Sequence, residues 1–127
     1  MIPYIYIYIV AVVLSTHYIA DFIFQTANMA ENKHKWGSAL CSHCVAYASI
    51  TWLMWMVFIY GVLGYTNLDI ITLWVMLFVS HICVDMITSV INHALFSQKR
   101  YHDGFVCVGF DQLAHYASLF VILHLIN

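Results

Sequence analysis

Charge is what this chain has least of. Four lysines and arginines with six aspartates and glutamates amount to 8% of its 127 residues, against roughly 25% in an ordinary soluble protein. That scarcity excludes a water-soluble surface. With 64% of the residues hydrophobic and a mean hydropathy of +0.86, residues 1–127 read as a single integral membrane domain. A formal net charge of −2 and the lack of any longer basic run exclude nucleic-acid binding. The N-terminal stretch lacks both a positive n-region and a small-residue cleavage site, so it is expected to be kept as a membrane span. A second cysteine pair is missing too. Cys41 and Cys44 frame His43 in CSHC, but a structural zinc site usually needs another such pair. These two cysteines, with Cys83 and Cys107, are read as small buried hydrophobes. The closely spaced alternating strands of a barrel are also missing, with YIYIYIV the one alternating piece.

What is present is four long apolar stretches, at about 3–26, 38–62, 68–95 and 106–126. Each meets the ~20 residues of helix that a bilayer core requires. The expected fold class is therefore all-α, a four-helix transmembrane bundle. The intervening segments NMAENKHKWGS, GVLGYTN and FSQKRYHDG have loop chemistry. Lys33 and Lys35 fall in the first loop, Lys99 and Arg100 in the third, and none in the second. By the positive-inside rule the first and third loops face the cytoplasm and both termini face out. Trp52, Trp55 and Trp74, with Tyr60 and Tyr65, suit interfacial or lipid-facing places.

The few polar residues inside these stretches are not scattered. Residues four apart share a helix face. His17 and Asp21, His81 and Asp85, and Asp111 and His115 all have that spacing, and His43 opens the second span. At 1.5 Å per residue, antiparallel spans bring all seven to similar depth in the cytoplasmic half. His81 matches only if the third span is long or ends near Asn92. Buried ionisable groups in a membrane are costly and usually functional. The alternatives are His–Asp pairs that satisfy one another, or polar glue between helices. Three carboxylates close together repel one another unless a cation is held among them. The expectation is one or two divalent ions, Zn²⁺ first, then Mn²⁺ or Fe²⁺, on His17, Asp21, His43, His81, Asp85, Asp111 and His115. Gln25, one turn after Asp21, Gln112, beside Asp111, and Asn92 are expected to support ligands or touch substrate. His93, after Asn92, is placed at the mouth of the site, His34 and His102 in solvent, and His124 away from the cluster. The order of these groups also suggests a 2+2 internal repeat, with His17/Asp21 facing His81/Asp85 across the bundle.

The segments HYIADFIFQT, MAENK, SHCVAY, SHICVDMI and FDQLAHY, in that order, resemble the DUF3307 family of small bacterial and phage membrane proteins. The matching positions are His17, Asp21, Phe22, Gln25, Thr26, Asn32, Lys33, His43, His81, Asp85, Asp111, Gln112 and His115. The resemblance covers nearly the whole chain and implies a bacterial inner membrane, but no activity. It departs where the family pattern implies a basic residue after the third-span aspartate; Thr88 and Ser89 stand there. More distantly the chain is similar to inner-membrane metal-dependent hydrolases of the YdjM type. In ligand type it is also similar to the helical His/Asp zinc clusters of phospholipase C and P1-type nucleases.

Three functions compete. The first is a metal-dependent hydrolase of a membrane-associated phosphoester, a lipid or isoprenoid phosphate, with Asp21, Asp85 or Asp111 as general base. Lys33 and Lys35 would draw in the anionic headgroup, or serve only to set topology. The second is a proton- or ion-conducting transport protein, which four spans would form as a homo-oligomer. The third is a non-catalytic interaction or inhibitor protein with a structural metal.

Overall fold

The structure is a computed structural model that describes residues 2–64 and 69–126. Tyr65 and Asn67, assigned above to the second loop, lie outside the described residues. Four helices are long and apolar enough to cross a membrane: Tyr4–Ile23, Ser38–Tyr60, Ile70–Ser97 and Tyr101–Ile126. No strand occurs among the described residues. The alternating YIYIYIV is helical, because in lipid only a helix satisfies its own backbone.

The first span is α1 (Ile2–Tyr18), which passes into a π-helical turn (Ile19–Ile23). There the Phe24 amide donates to the Ile19 carbonyl at 3.1 Å, five residues back. A short α2 (Ala27–Asn32) follows, capped by the Thr26 hydroxyl, which accepts from the Met29 amide. A single 3₁₀ turn (Lys33–Lys35) ends at Trp36, in the left-handed region with φ of 53°. The first loop is thus mostly ordered helix. The second span is α3 (Ser38–Trp55), continued by a π-helical turn (Met56–Tyr60) and by α4 (Gly61–Leu63). The third and fourth spans are α5 (Ile70–Ser97) and α6 (Tyr101–Ile126).

The expected third loop is largely helix, and the fourth span begins at Tyr101 rather than near 106. The reason is a tight cap. Lys99 takes φ of 58°, its amide donates to the Phe96 carbonyl, and the Arg100 amide donates to the Leu95 carbonyl, each at 3.0 Å. That pair of bonds is a Schellman motif, and it turns the chain in three residues. Gly104, read above as a loop glycine, lies buried in α6. A Cβ there would come within 2.8 Å of the Phe96 ring, so the glycine lets α5 and α6 close together at this end.

α5 packs against α3 and α6, and α1 packs against the same two helices. α1 and α5 are therefore diagonal partners in the bundle. The outward surface is apolar, with Ile5, Leu53, Val57, Ile71, Ile87, Phe105 and Leu125 all exposed. The interior has two halves. One is packed from Val13, Ala48, Trp55, Ile59, Leu73, Leu77, Leu119 and Ile122. The other holds the His and Asp residues.

Trp55 departs from its expected lipid-facing place. It is fully buried, and its indole N–H donates to the Thr16 hydroxyl at 3.1 Å, which satisfies its polar atom inside the bundle. Among the cysteines only Cys44 is buried; Cys41 and Cys83 face outward and Cys107 is half-buried. A thiol is apolar enough to face lipid as readily as protein.

Candidate metal centre

His17, Asp21, His43, His81, Asp85, Asp111 and His115 are all at most 6% exposed. The four spans bring these seven into one cluster. At its centre the Nε2 atoms of His43 and His81 face each other at 3.1 Å. Asp21 Oδ1 lies 3.1 Å from the first and 3.5 Å from the second. Asp85 Oδ2 lies 3.2 and 3.5 Å from the same two atoms. The long third span, 28 residues, lets His81 reach this depth.

One imidazole proton cannot serve all of these contacts at once. His43 Nε2 carries at most one proton, yet three acceptor-capable atoms stand within 3.1–3.2 Å of it. His81 Nδ1 is buried with no hydrogen-bond partner among the described residues. Donor atoms about 2.0–2.1 Å from a tetrahedral ion lie about 3.3 Å apart, which is the range seen here. Three groups have ligand atoms mutually within 4.8 Å: Asp21, His43 and His81; Cys44, His81 and Asp85; and Asp21, Asp111 and His115.

The remaining residues surround this centre. His115 Nε2 lies 3.4 Å from Asp85 Oδ1 and 3.5 Å from Asp111 Oδ1, and its ring stacks on that of His81. His17 has partners on both nitrogens. Its Nε2 faces the Gln112 Oε1 at 2.9 Å, and its Nδ1 faces the Tyr47 hydroxyl at 3.0 Å. The Gln112 amide nitrogen then donates to Asp111 Oδ2 at 3.0 Å and to Asp21 Oδ2 at 3.4 Å. Gln112 therefore links a histidine to two carboxylates. Thr88 hydrogen-bonds Asp111 Oδ1.

The π-helical turn sets where the column of His17 and Asp21 ends. One extra residue in the turn shifts the helix face, and after Ile23 the helix stops. Gln25 consequently leaves the column of His17 and Asp21. It instead lines a cavity of about 520 Å³ that also touches Asp21, Lys33, Asn92, His93, Asp111 and Gln112.

Lys33 reaches further in than a loop lysine is expected to. Its ammonium lies 3.3 and 3.4 Å from the two oxygens of Asp85. Burial opposes its charge, but the carboxylates of Asp85, Asp21 and Asp111 prevail and hold its pKa above the ordinary lysine value. Two further contacts hold the loop that carries Lys33. The Trp36 indole donates to the Met86 carbonyl at 2.9 Å, and the His34 ring stacks on that of His93 at 3.6 Å. His34 is therefore not simply solvated. His93 is among the residues lining the cavity, His102 is exposed, and His124 lies by a separate groove with Tyr6 and Phe120.

Two residues escaped the sequence reading. Tyr47 is buried, stacks on the His81 ring at 3.6 Å and holds His17. Its place one turn after His43 in SHCVAY was the available signal. Cys44 was set aside as apolar filler, and only the fold brings it beside His81 and Asp85.

The chain matches the family described as protein of unknown function (DUF3307) over residues 9–127, and it belongs to that family. No curated protein and no solved structure matches it.

Proposed function

Starting from membership of a family whose description assigns no activity, we propose that this protein is a metal-dependent hydrolase of a membrane-associated phosphoester. The observation that carries the reading is the His43–His81 pair, with its facing Nε2 atoms flanked by Asp21 and Asp85 oxygens in a fully buried centre. These four residues hold the ion, with Asp111 and His115 adjoining. Imidazole with carboxylate favours Zn²⁺, then Mn²⁺ or Fe²⁺. Charge favours a single ion. Asp21, Asp85 and Asp111 carry three negative charges and Lys33 one positive, so one divalent cation closes the balance.

When bound, the ion supplies Lewis acidity and a water nucleophile available at neutral pH. The chain supplies the rest. Asp111 borders the cavity with its carboxylate held by Thr88 and Gln112, the position from which it accepts the proton of the attacking water. Lys33, at the same wall, faces the phosphoryl charge. His17, locked between Tyr47 and Gln112, keeps Gln112 oriented.

The cavity opens beside the first loop. With Lys33, Lys35, Lys99 and Arg100 on one side, that side is the cytoplasm and the membrane is a bacterial inner membrane, in host or phage-encoded form. Transport fits less well, because the other half of the interior is packed mainly from apolar side chains among the described residues.

Elemental analysis of purified protein, paired with hydrolysis assays on lipid phosphates, tests the reading. About one divalent ion per chain and metal-dependent release of phosphate or phosphoalcohol are expected. A folded, active, metal-free protein would sink it. Bound metal with no hydrolysis would favour the interaction or inhibitor role.

A further inference from the structure

The wall of the bundle is not equally closed all round the cavity beside the metal centre. Packed helices have axes about 8–10 Å apart. With Cα atoms ~2.3 Å from each axis, packed backbones approach to about 6 Å or less. α5 and α6 are closed together at this end by Gly104 and Phe96, and α1 packs on α6 as well. The π-helical turn (Ile19–Ile23) and α2 do not: none of their Cα atoms comes within 8 Å of a Cα of α6. The Gln112 side chain crosses this gap, its amide reaching Asp21 Oδ2 at 3.4 Å. The cavity spans the gap, with Phe22 and Gln25 on one wall and Val108, Asp111 and Gln112 on the other. Phe22 and Val108 both belong to membrane-spanning stretches, and Phe22 is 44% exposed on the outer surface. Phe96 lines the cavity too, and its ring meets that of Phe105, which is also exposed. The side toward the first loop differs, because Lys33, His34 and Trp36 are pinned to Asp85, His93 and Met86.

We propose that this gap is a lateral portal, through which a long-chain lipid phosphoester reaches the metal centre directly from the bilayer. The inference rests on the hydrolase reading for the place of the phosphate, and it names the substrate class. Polarity runs along the cavity in the sense that such a lipid needs. Asp21 and Asp111 are buried, with Lys33 beside them, whereas Phe22 is exposed and Val108 half-buried. A phosphate leaving the headgroup layer needs a cation and hydrogen-bond donors, which Lys33 and the Gln112 amide supply. The chains need only apolar walls, because they never leave lipid. A cavity of about 520 Å³ takes a headgroup-sized ligand, so two long chains have to lie outside it. The gap between Phe22 and Val108 lets them do so while the phosphate stays inside. A soluble phosphoester has no use for these apolar walls.

The test is equilibrium binding to the full-length protein at one fixed detergent concentration, with metal content measured on the same samples. The probes are long-chain phosphatidate and glycerol phosphate, which carries the same phosphomonoester and no chains. Val108→Trp fills the gap from α6. It is expected to weaken phosphatidate binding about tenfold or more, as overpacking does, and to leave glycerol phosphate binding within about twofold. Phe22→Trp narrows the gap from the other wall, at an exposed position where folding is not at stake, and is expected to weaken phosphatidate binding by a smaller factor. Val106→Trp, exposed on α6 and two residues from Val108, so on another face, is expected to change neither. Glycerol phosphate bound as tightly as phosphatidate by the wild-type protein would overturn the portal. So would Val108→Trp and Phe22→Trp proteins that bind phosphatidate like the wild type, or that lose both probes in equal measure. A selective loss of phosphatidate in a protein without metal would leave the portal standing and remove the hydrolase reading. Bound metal and lipid hydrolysis, with both tryptophan variants unaffected, would do the reverse.

Discussion

The two halves of the interior are built on the same stripes and from opposite chemistry. Along α5 the buried positions run Leu73, Leu77, His81, Asp85, then Thr88 and Ser89. Along α6 they run Asp111, His115, Leu119 and Ile122. Spacing decides which residues are buried, and depth decides whether they are apolar or ionisable. The two halves are also held differently. Lipid tails are as apolar as leucine, so the apolar half gains little from leaving lipid and depends on close packing. The polar half cannot be exposed to lipid at all, and depends on charge balance and hydrogen bonds.

The sharpest way to break this contrast is to remove one charge. Asp85→Asn keeps the size of a side chain that touches His43, His81, His115 and Lys33. Metal content is expected to fall at least tenfold, together with any hydrolysis. If metal stoichiometry, read by elemental analysis, stays at the wild-type value in Asp85→Asn, Asp21→Asn and Asp111→Asn alike, the polar half is helix-packing glue. Next in size is Leu77→Ala in the apolar half, where the side chain is fully buried. A loss of about 2–5 kcal/mol in unfolding free energy is expected, with unchanged metal content; a matching loss of metal would show that the halves are not separable.

Smaller effects sharpen the comparison at its edges. Gly104→Ala would press a methyl group into the Phe96 ring, and a loss of about 1–3 kcal/mol is expected. Gly109→Ala, with nothing within 4 Å of the added Cβ, is its control in the same unfolding assay. His124→Ala, exposed and remote from the cluster, is expected to change neither stability nor metal content.

Much of this was legible in the sequence because membranes leave few choices. Four long apolar stretches specified four spans, and His–Asp pairs four apart marked buried columns. The departures have local causes. The π-helical turn at Ile19–Ile23 removes Gln25 from its column, and nothing in IADFI announces an extra residue in a turn. The Schellman cap at Lys99 uses a left-handed lysine where glycine is usual, so the charged segment read as loop. Trp55 looked like an interfacial aromatic and Tyr47 drew no reading, because which face of a span points inward depends on its neighbours. Lys33 was visible as a topology signal, but its reach to Asp85 depends on the folded first loop.

That first loop has a consequence for biogenesis. Lys33, His34 and Trp36 hold on to Asp85, His93 and Met86 of the third span, which the ribosome has yet to make when the first hairpin enters the membrane. Until then Asp21 and His43 lack His81 and Asp85, and His17 lacks Gln112. A carboxylate within a span costs the insertion machinery free energy, up to about 2.5–3.5 kcal/mol at the span's centre. The first hairpin is thus a debtor to the second: it must wait beside the translocon, or with its polar face toward water, until α5 arrives and the loop latches across it.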